Sequence, residues 1–264
     1  MTLTSKNNTN TPRITTALLL AAGTGSRLFP ITKDAPKCLT LVSEESMLAR
    51  LVTNLKDQGF THLVIVTGYK QECIVDFLGN QTDGLSIEYI HSPLYKTTNN
   101  IYSLWMARNS IKEPFVLLES DLVLDTDLLT HMKYPNRIAV AKMQPWLNGT
   151  TVTLNDQNEV MQFQPGTTEP YTETRYKTVN IYSFSLESWQ EVTKKLNQYI
   201  ESGNVNAYYE TVFTSLVAEK TLAFEAVSFD EKPWYEVDTI LDLAEAEKLF
   251  PVVATEEEVT YALY

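Results

Sequence analysis

Cysteine is scarce: Cys38 and Cys73 are the two thiols in 264 residues, too few to staple a domain of this size. No apolar run approaches the roughly 20 residues that a membrane-spanning helix needs. No cleavable hydrophobic leader precedes the first strand, so the expected setting is cytoplasmic. Histidine is nearly as rare, and His62, His91 and His131 stand in unrelated strand or helix contexts, which favours structural roles. An internal repeat at a fixed period and a low-complexity linker are both missing. The expectation is one domain over residues 13–250, with a polar, disordered lead-in over 1–12 and an acidic tail over 251–264 that carries Glu256, Glu257 and Glu258.

Positive charge is in deficit too: 21 Lys and Arg face 33 Asp and Glu, a net charge of −12. That balance opposes nonspecific attraction to nucleic acid and to anionic membranes, and neither is expected as a partner. An anionic ligand must be drawn by a local cluster, and Arg27, Lys33 and Lys37 form one. The stretch that holds them, LLLAAGTGSRLFPITKDAPK over 18–37, runs from an apolar strand into a glycine-bearing turn. Gly23 and Gly25 would let backbone amides approach phosphate oxygens, while Arg27 and Lys37 supply charge. A strand ending in small residues is also how any parallel α/β protein leaves its sheet. Two familiar phosphate loops are excluded, because Ser26-Arg27-Leu28 supplies neither the closing Gly-Lys-Ser/Thr of one nor the third glycine of the other.

Apolar spacing of Met47, Leu48, Leu51, Val52 and Leu55 predicts a helix over 44–58, stopped at Gly59. Strands are expected over 62–67, 85–91 and 115–119, and helices over 71–78 and 100–111. This alternation predicts an α/β, Rossmann-like fold: a mainly parallel mixed sheet covered by helices on both faces, with ligands at the carboxyl ends of its strands. Shorter strands over 138–142, 150–154 and 160–163 read as a small β-rich lid or mixed-sheet region. A strand over 179–184, helices over 186–201 and 208–217, a strand over 222–227 and a helix over 240–249 complete the chain.

Asp121 follows the buried-strand pattern FVLLES, at a position where a hard cation could be held between protein and phosphates. Far along the chain, Trp234-Tyr-Glu-Val-Asp238 ends another short strand, whose alternation puts Glu236 and Asp238 on one face. A solitary aspartate after a strand is otherwise a helix cap, and Asp121 or Asp125 could cap the turn into Leu128. Asn99 has the same alternative.

The string Ala-Ala-Gly-x-Gly-x-Arg-Leu, followed about ten residues later by Pro36-Lys37, resembles the signature of nucleotidyltransferases that join a nucleoside triphosphate to a sugar phosphate or phospho-alcohol. NNIYSL from Asn99 and WYEVD from Trp234 resemble the phosphocholine cytidylyltransferase branch. WLNGTTVTL from Trp146, YKTVNIY from Tyr176 and YYETV from Tyr208 are closer to cytidylyltransferases that activate phosphonates, notably 2-aminoethylphosphonate. Sugar-phosphate members usually carry Glu-Lys-Pro where this chain reads Phe163-Gln164-Pro165.

The resemblance implies transfer of CMP from CTP to a small phosphonate, with phosphocholine or a sugar-1-phosphate as alternative acceptors and a silent nucleotide-binding regulatory module as the non-enzyme alternative. It implies Mg²⁺ held by Asp121 and Asp238, and Arg27, Lys37, Asp121 and Asp238 as the catalytic set. CTP would be met by Leu20, Ala21, Ala22, Gly23, Thr24, Gly25, Ser26, Arg27 and Lys37, and by Thr98, Asn99, Asn100, Ser103 and Ser120. The acceptor would meet Trp146, Lys177, Asn180, Tyr208, Tyr209, Glu210, Trp234 and Glu236. Lys177 could replace the lysine missing at Gln164, or be a solvated strand-edge lysine. The aromatics could instead fill the core, with Glu210 simply beginning a helix. In the phosphonate branch such domains are often fused to a mutase or an aminotransferase. A homodimer is compatible with the sequence, which leaves the oligomeric state open.

Overall fold

The computed structural model describes residues 13–166 and 173–252. The lead-in expected over 1–12 and most of the tail expected over 251–264 lie outside the described residues. At the centre are four parallel strands in the order Phe115–Glu119, Thr16–Ala21, His62–Thr67, Leu85–His91. Leu18 pairs with Val64 on one side and Leu117 on the other. Strand alternation divides these residues between two apolar layers. Ala17, Leu19 and Ala21 pack with Leu48, Leu51 and Leu55 of the helix Met47–Asp57. Leu18 and Leu20 face the opposite layer, with Ile101 and Leu104 of the helix Asn100–Met106.

The second half extends the same sheet. Tyr176–Phe184 runs antiparallel to Phe115–Glu119, to Arg137–Lys142 and, at its beginning, to Thr151–Leu154, which pairs onward with Val160–Gln164. The short strands of the expected lid therefore join one ten-stranded mixed sheet through these antiparallel pairs. The Tyr176–Phe184 strand begins earlier than the expected 179 because its first residues pair with these neighbours.

Several boundaries move for local reasons. The helix expected from 44 starts at Met47, where the Ser46 side chain caps it by accepting from the Ala49 amide at 3.1 Å, while Glu45–Ser46 pairs with Leu41–Val42. The helix expected to reach 111 ends at Met106 and tightens into a 3-10 turn, Ala107–Asn109. The helix expected from 208 begins at Glu210, since the Tyr209 amide donates to Asn100 Oδ1 at 3.0 Å. The strand expected over 222–227 is Glu225–Ser228, parallel to Arg137–Lys142.

A two-stranded sheet brings the distant acidic motifs together. Leu122–Leu124 pairs antiparallel with Trp234–Glu236, Leu122 opposite Glu236. The Val237 amide then donates to the Asp121 carbonyl at 2.9 Å. Val237 is fully buried, so the alternation turns Glu236 and Asp238 to the other side, where Asp121 waits.

Candidate active site

The turn after the first strand opens a cavity of about 290 Å³ at the carboxyl end of the parallel strands. Every residue of the expected nucleotide set lines it except Thr24. Gly25 has φ of 61°, and a Cβ there would lie 2.8 Å from Lys37 Cβ, so only glycine lets the turn and Lys37 sit together. Asn99 both lines the cavity and caps its helix, accepting from the Asn100 amide at 2.8 Å. Three lining residues were not expected: Cys38, Tyr95 and Glu119. Burial pushes the Cys38 thiol up to about 12, which keeps it protonated and inert.

Lys37 is the hub of the site. Its Nζ lies 2.8 Å from Asp121 Oδ2 and 2.6 Å from Asp238 Oδ1. Arg27 Nη2 reaches the same Asp238 oxygen at 2.7 Å, from a side chain that is largely exposed. Burial works against the Lys37 charge, but the two carboxylates overcome it and hold its pKa above the ordinary value. Asp125 takes the cap position, accepting from the Asp127 amide at 3.0 Å, and Asp121 is left to the site.

Glu119, Asp121 and Glu236 offer carboxylate oxygens within 4.8 Å of one another. Asp121 Oδ1 is buried without a hydrogen-bond partner. An all-oxygen set with an open acceptor atom fits a hard divalent cation. Asp121 thus stands with Glu119 and Glu236, while Asp238 is turned to Lys37 and Arg27. Burial first, and then the charges of Asp121, Glu210 and Glu236, raise the Glu119 pKa well above the carboxylate range. Burial raises Glu236 as well, against the pull of Lys177. Glu119 escaped sequence reading because it closes a buried strand, although it stands two positions before Asp121, on the same face.

Beside this cluster opens a wider cavity of about 1090 Å³, reached by Trp146, Lys177, Asn180, Tyr208, Glu210 and Glu236. Trp146 and Tyr208 are 65% and 61% exposed. Trp234 does not line it and instead lines an adjoining space with Trp146, Lys177 and Glu236. Tyr209 is fully buried, its ring 5.2 Å from that of Phe213 and 5.8 Å from that of Tyr182. The expectation that Tyr209 meets an acceptor is corrected: its ring fills the core. Lys177 is only 3% exposed, with its ammonium 3.2 Å from Glu236 Oε2 and donating to the Thr178 carbonyl at 2.6 Å. It is no solvated edge lysine. Glu210 begins its helix and is buried, and burial pushes its carboxyl up to about 7 although Lys177 opposes the shift.

Comparison with known proteins gives this geometry a family. A model described as Nucleotidyl transferase matches residues 16–250. A CMP-5'-(3-aminopropyl)phosphonate synthase of Streptomyces rubellomurinus is 27% identical over 94% of this chain and 41% of its own length. The chain thus spans about two fifths of that relative. A 2-aminoethylphosphonate cytidylyltransferase of Lancefieldella rimae is 23% identical over 87% of this chain and 91% of its own. Among solved structures, a CTP:phosphocholine cytidylyltransferase from Streptococcus pneumoniae superposes with a TM-score of 0.74 at 19% identity, covering 90% of this chain and all of that one. That likeness shows the fold. Among the described residues no helix is long and apolar enough to cross a membrane.

Proposed function

The chain belongs to the nucleotidyl transferase family, and we propose that it transfers CMP from CTP to a small phosphonate, with 2-aminoethylphosphonate as the acceptor, releasing pyrophosphate. The observation that carries the acceptor is the carboxyl lining of the wider cavity: Glu119, Asp121, Glu210, Glu236 and Asp238 outnumber Arg27, Arg175 and Lys177 there, and Lys177, already paired with Glu236, is nearly enclosed. Such a surface suits a ligand whose organic end is an ammonium that donates N–H bonds. The two phosphonate relatives support the same acceptor class.

In this reading a phosphonate oxygen attacks the α-phosphorus of CTP, the bond to the β-phosphate oxygen breaks, and pyrophosphate leaves. A phosphonate is already anionic, so no protein nucleophile is required, and the task is to bring two anions together. The glycine turn and the Thr98, Asn99 and Ser103 side chains line the CTP cavity. Lys37 and Arg27 compensate the charge of the polyphosphate and of the leaving group. Glu119, Asp121 and Glu236, with Asp238 beside them, would hold Mg²⁺, which supplies charge neutralisation at the phosphates when bound. The two aspartates bonded to the Lys37 ammonium outweigh its burial and keep it charged and aimed throughout.

A second reading, transfer to phosphocholine, draws on the exposed faces of Trp146 and Tyr208, which suit a quaternary ammonium. Pyrophosphate release with CTP, Mg²⁺ and a panel of acceptors decides between them. Faster turnover of 2-aminoethylphosphonate than of phosphocholine or glucose-1-phosphate is expected. Equal or faster turnover of phosphocholine would overturn the choice of acceptor.

A further inference from the structure

Asn180 breaks the regularity of the Tyr176–Phe184 strand. Its φ of 58° lies in the left-handed region, where asparagine is among the few side chains at ease. The register with Arg137–Lys142 shifts between Thr178 and Tyr182. An irregularity of this kind re-aims a side chain. Before it the strand pairs with Thr151–Leu154, at Tyr176 and Lys177, and after it with Phe115–Glu119, from Ile181 onward.

At the break, Asn180 is 6% exposed and turns its amide to Glu236: Nδ2 donates to Oε1 at 3.1 Å, while Asn180 Oδ1 accepts from Thr178 Oγ1 at 3.2 Å. The other Glu236 oxygen, Oε2, lies 3.2 Å from Lys177 Nζ. Both oxygens of Glu236 are therefore held from one strand, by Asn180 within the irregularity and Lys177 just before it. Neighbouring carboxylates repel, and a donor on each oxygen is what keeps Glu236 beside Glu119 and Asp121.

We infer that Asn180 is a positioning residue: its left-handed kink and its amide, together with Lys177, fix the Glu236 carboxylate, and Asn180 acts on the transfer reaction through Glu236 rather than by touching the acceptor. The kinetic half of the inference rests on the proposed function. The structural half does not.

Asn180→Gly keeps the left-handed backbone and deletes the amide, whereas Asn180→Asp keeps shape and backbone tolerance but sets a like charge against Glu236. Thermal unfolding and CTP turnover are measured on wild type, Asn180→Gly, Glu236→Ala and the double variant, with Asn180→Asp alongside. The expected melting shifts of the two single variants fail to add in the double variant, as for a contacting pair. Turnover falls about tenfold or more in Asn180→Gly and further in Asn180→Asp, with acceptor KM changed by no more than about twofold. The double variant is then no slower than Glu236→Ala. Additive melting shifts, or a raised acceptor KM with kcat kept, would overturn the inference. A wild-type protein that released no pyrophosphate with any acceptor would overturn the proposed function instead, and the melting comparison would still decide the role of Asn180.

Discussion

Asp121 and Asp238 bond to one atom, the ammonium nitrogen of Lys37, at 2.8 and 2.6 Å. The Val237 amide on the Asp121 carbonyl, at 2.9 Å, holds their two chain segments in register. The charges of the site are thereby assembled by contacts within the chain itself, the kind of preorganisation that electrostatic catalysis requires.

Replacing that ammonium leaves two carboxylates facing each other and removes the cation that the proposed reaction sets against the leaving pyrophosphate. Lys37→Ala is expected to lower kcat by roughly two orders of magnitude or more. Steady-state kinetics on a variant shown by circular dichroism to be folded check this, and near-normal turnover would refute the assigned role.

Gly25 combines φ of 61° with a Cβ position 2.8 Å from Lys37 Cβ. Gly25→Ala should therefore displace Lys37 and raise the KM for CTP more than that for the acceptor. Unchanged kinetics would show that the turn accommodates a side chain after all.

The two adjacent tyrosines should separate cleanly. Tyr209→Ala empties a fully buried ring site and is expected to cost about 3–5 kcal/mol of stability, in the range of other large aromatic truncations. Tyr208→Ala, at a side chain 61% exposed on the wider cavity proposed to take the acceptor, should leave the unfolding midpoint nearly unchanged and alter acceptor KM. Denaturant unfolding and KM measurements on both variants test the division.

Burial raises the Glu210 carboxyl from its ordinary 4.5 to about 7, with Lys177 pulling the other way. The folded chain holds this proton more tightly than the unfolded chain. Its contribution to stability is therefore complete below about 4.5 and is lost as pH rises through about 7. Wild type should lose melting temperature across that window relative to Glu210→Gln, which carries no titrating carboxyl. Parallel melting curves against pH would contradict the shift.

Much of the site was legible because its chemistry is written in short strings. The glycine turn, Arg27 and Lys37 read in sequence as an anion cradle, and in the structure all three line one cavity. The parallel centre was legible because its strands are almost wholly apolar, and Leu18, Leu19, Val64 and Leu117 are fully buried. What remained hidden depends on contacts distant in sequence. Glu119 reads as the tail of a buried strand until Glu236 is folded against Asp121. Tyr209 reads as a binding aromatic beside Tyr208 until the Asn100 bond to its amide fixes the turn that sends its ring inward. The left-handed backbone of Asn180 leaves no mark in the apolar pattern of YKTVNIYSF.

Pyrophosphate release from CTP with 2-aminoethylphosphonate, compared between wild type and Asp121→Ala, tests the central assignment most directly. Acceptor-dependent release by wild type, falling by roughly a hundredfold or more in the variant, is the predicted result. Equal rates in the two proteins, or no release by wild type with any phosphonate or phospho-alcohol, would contradict it.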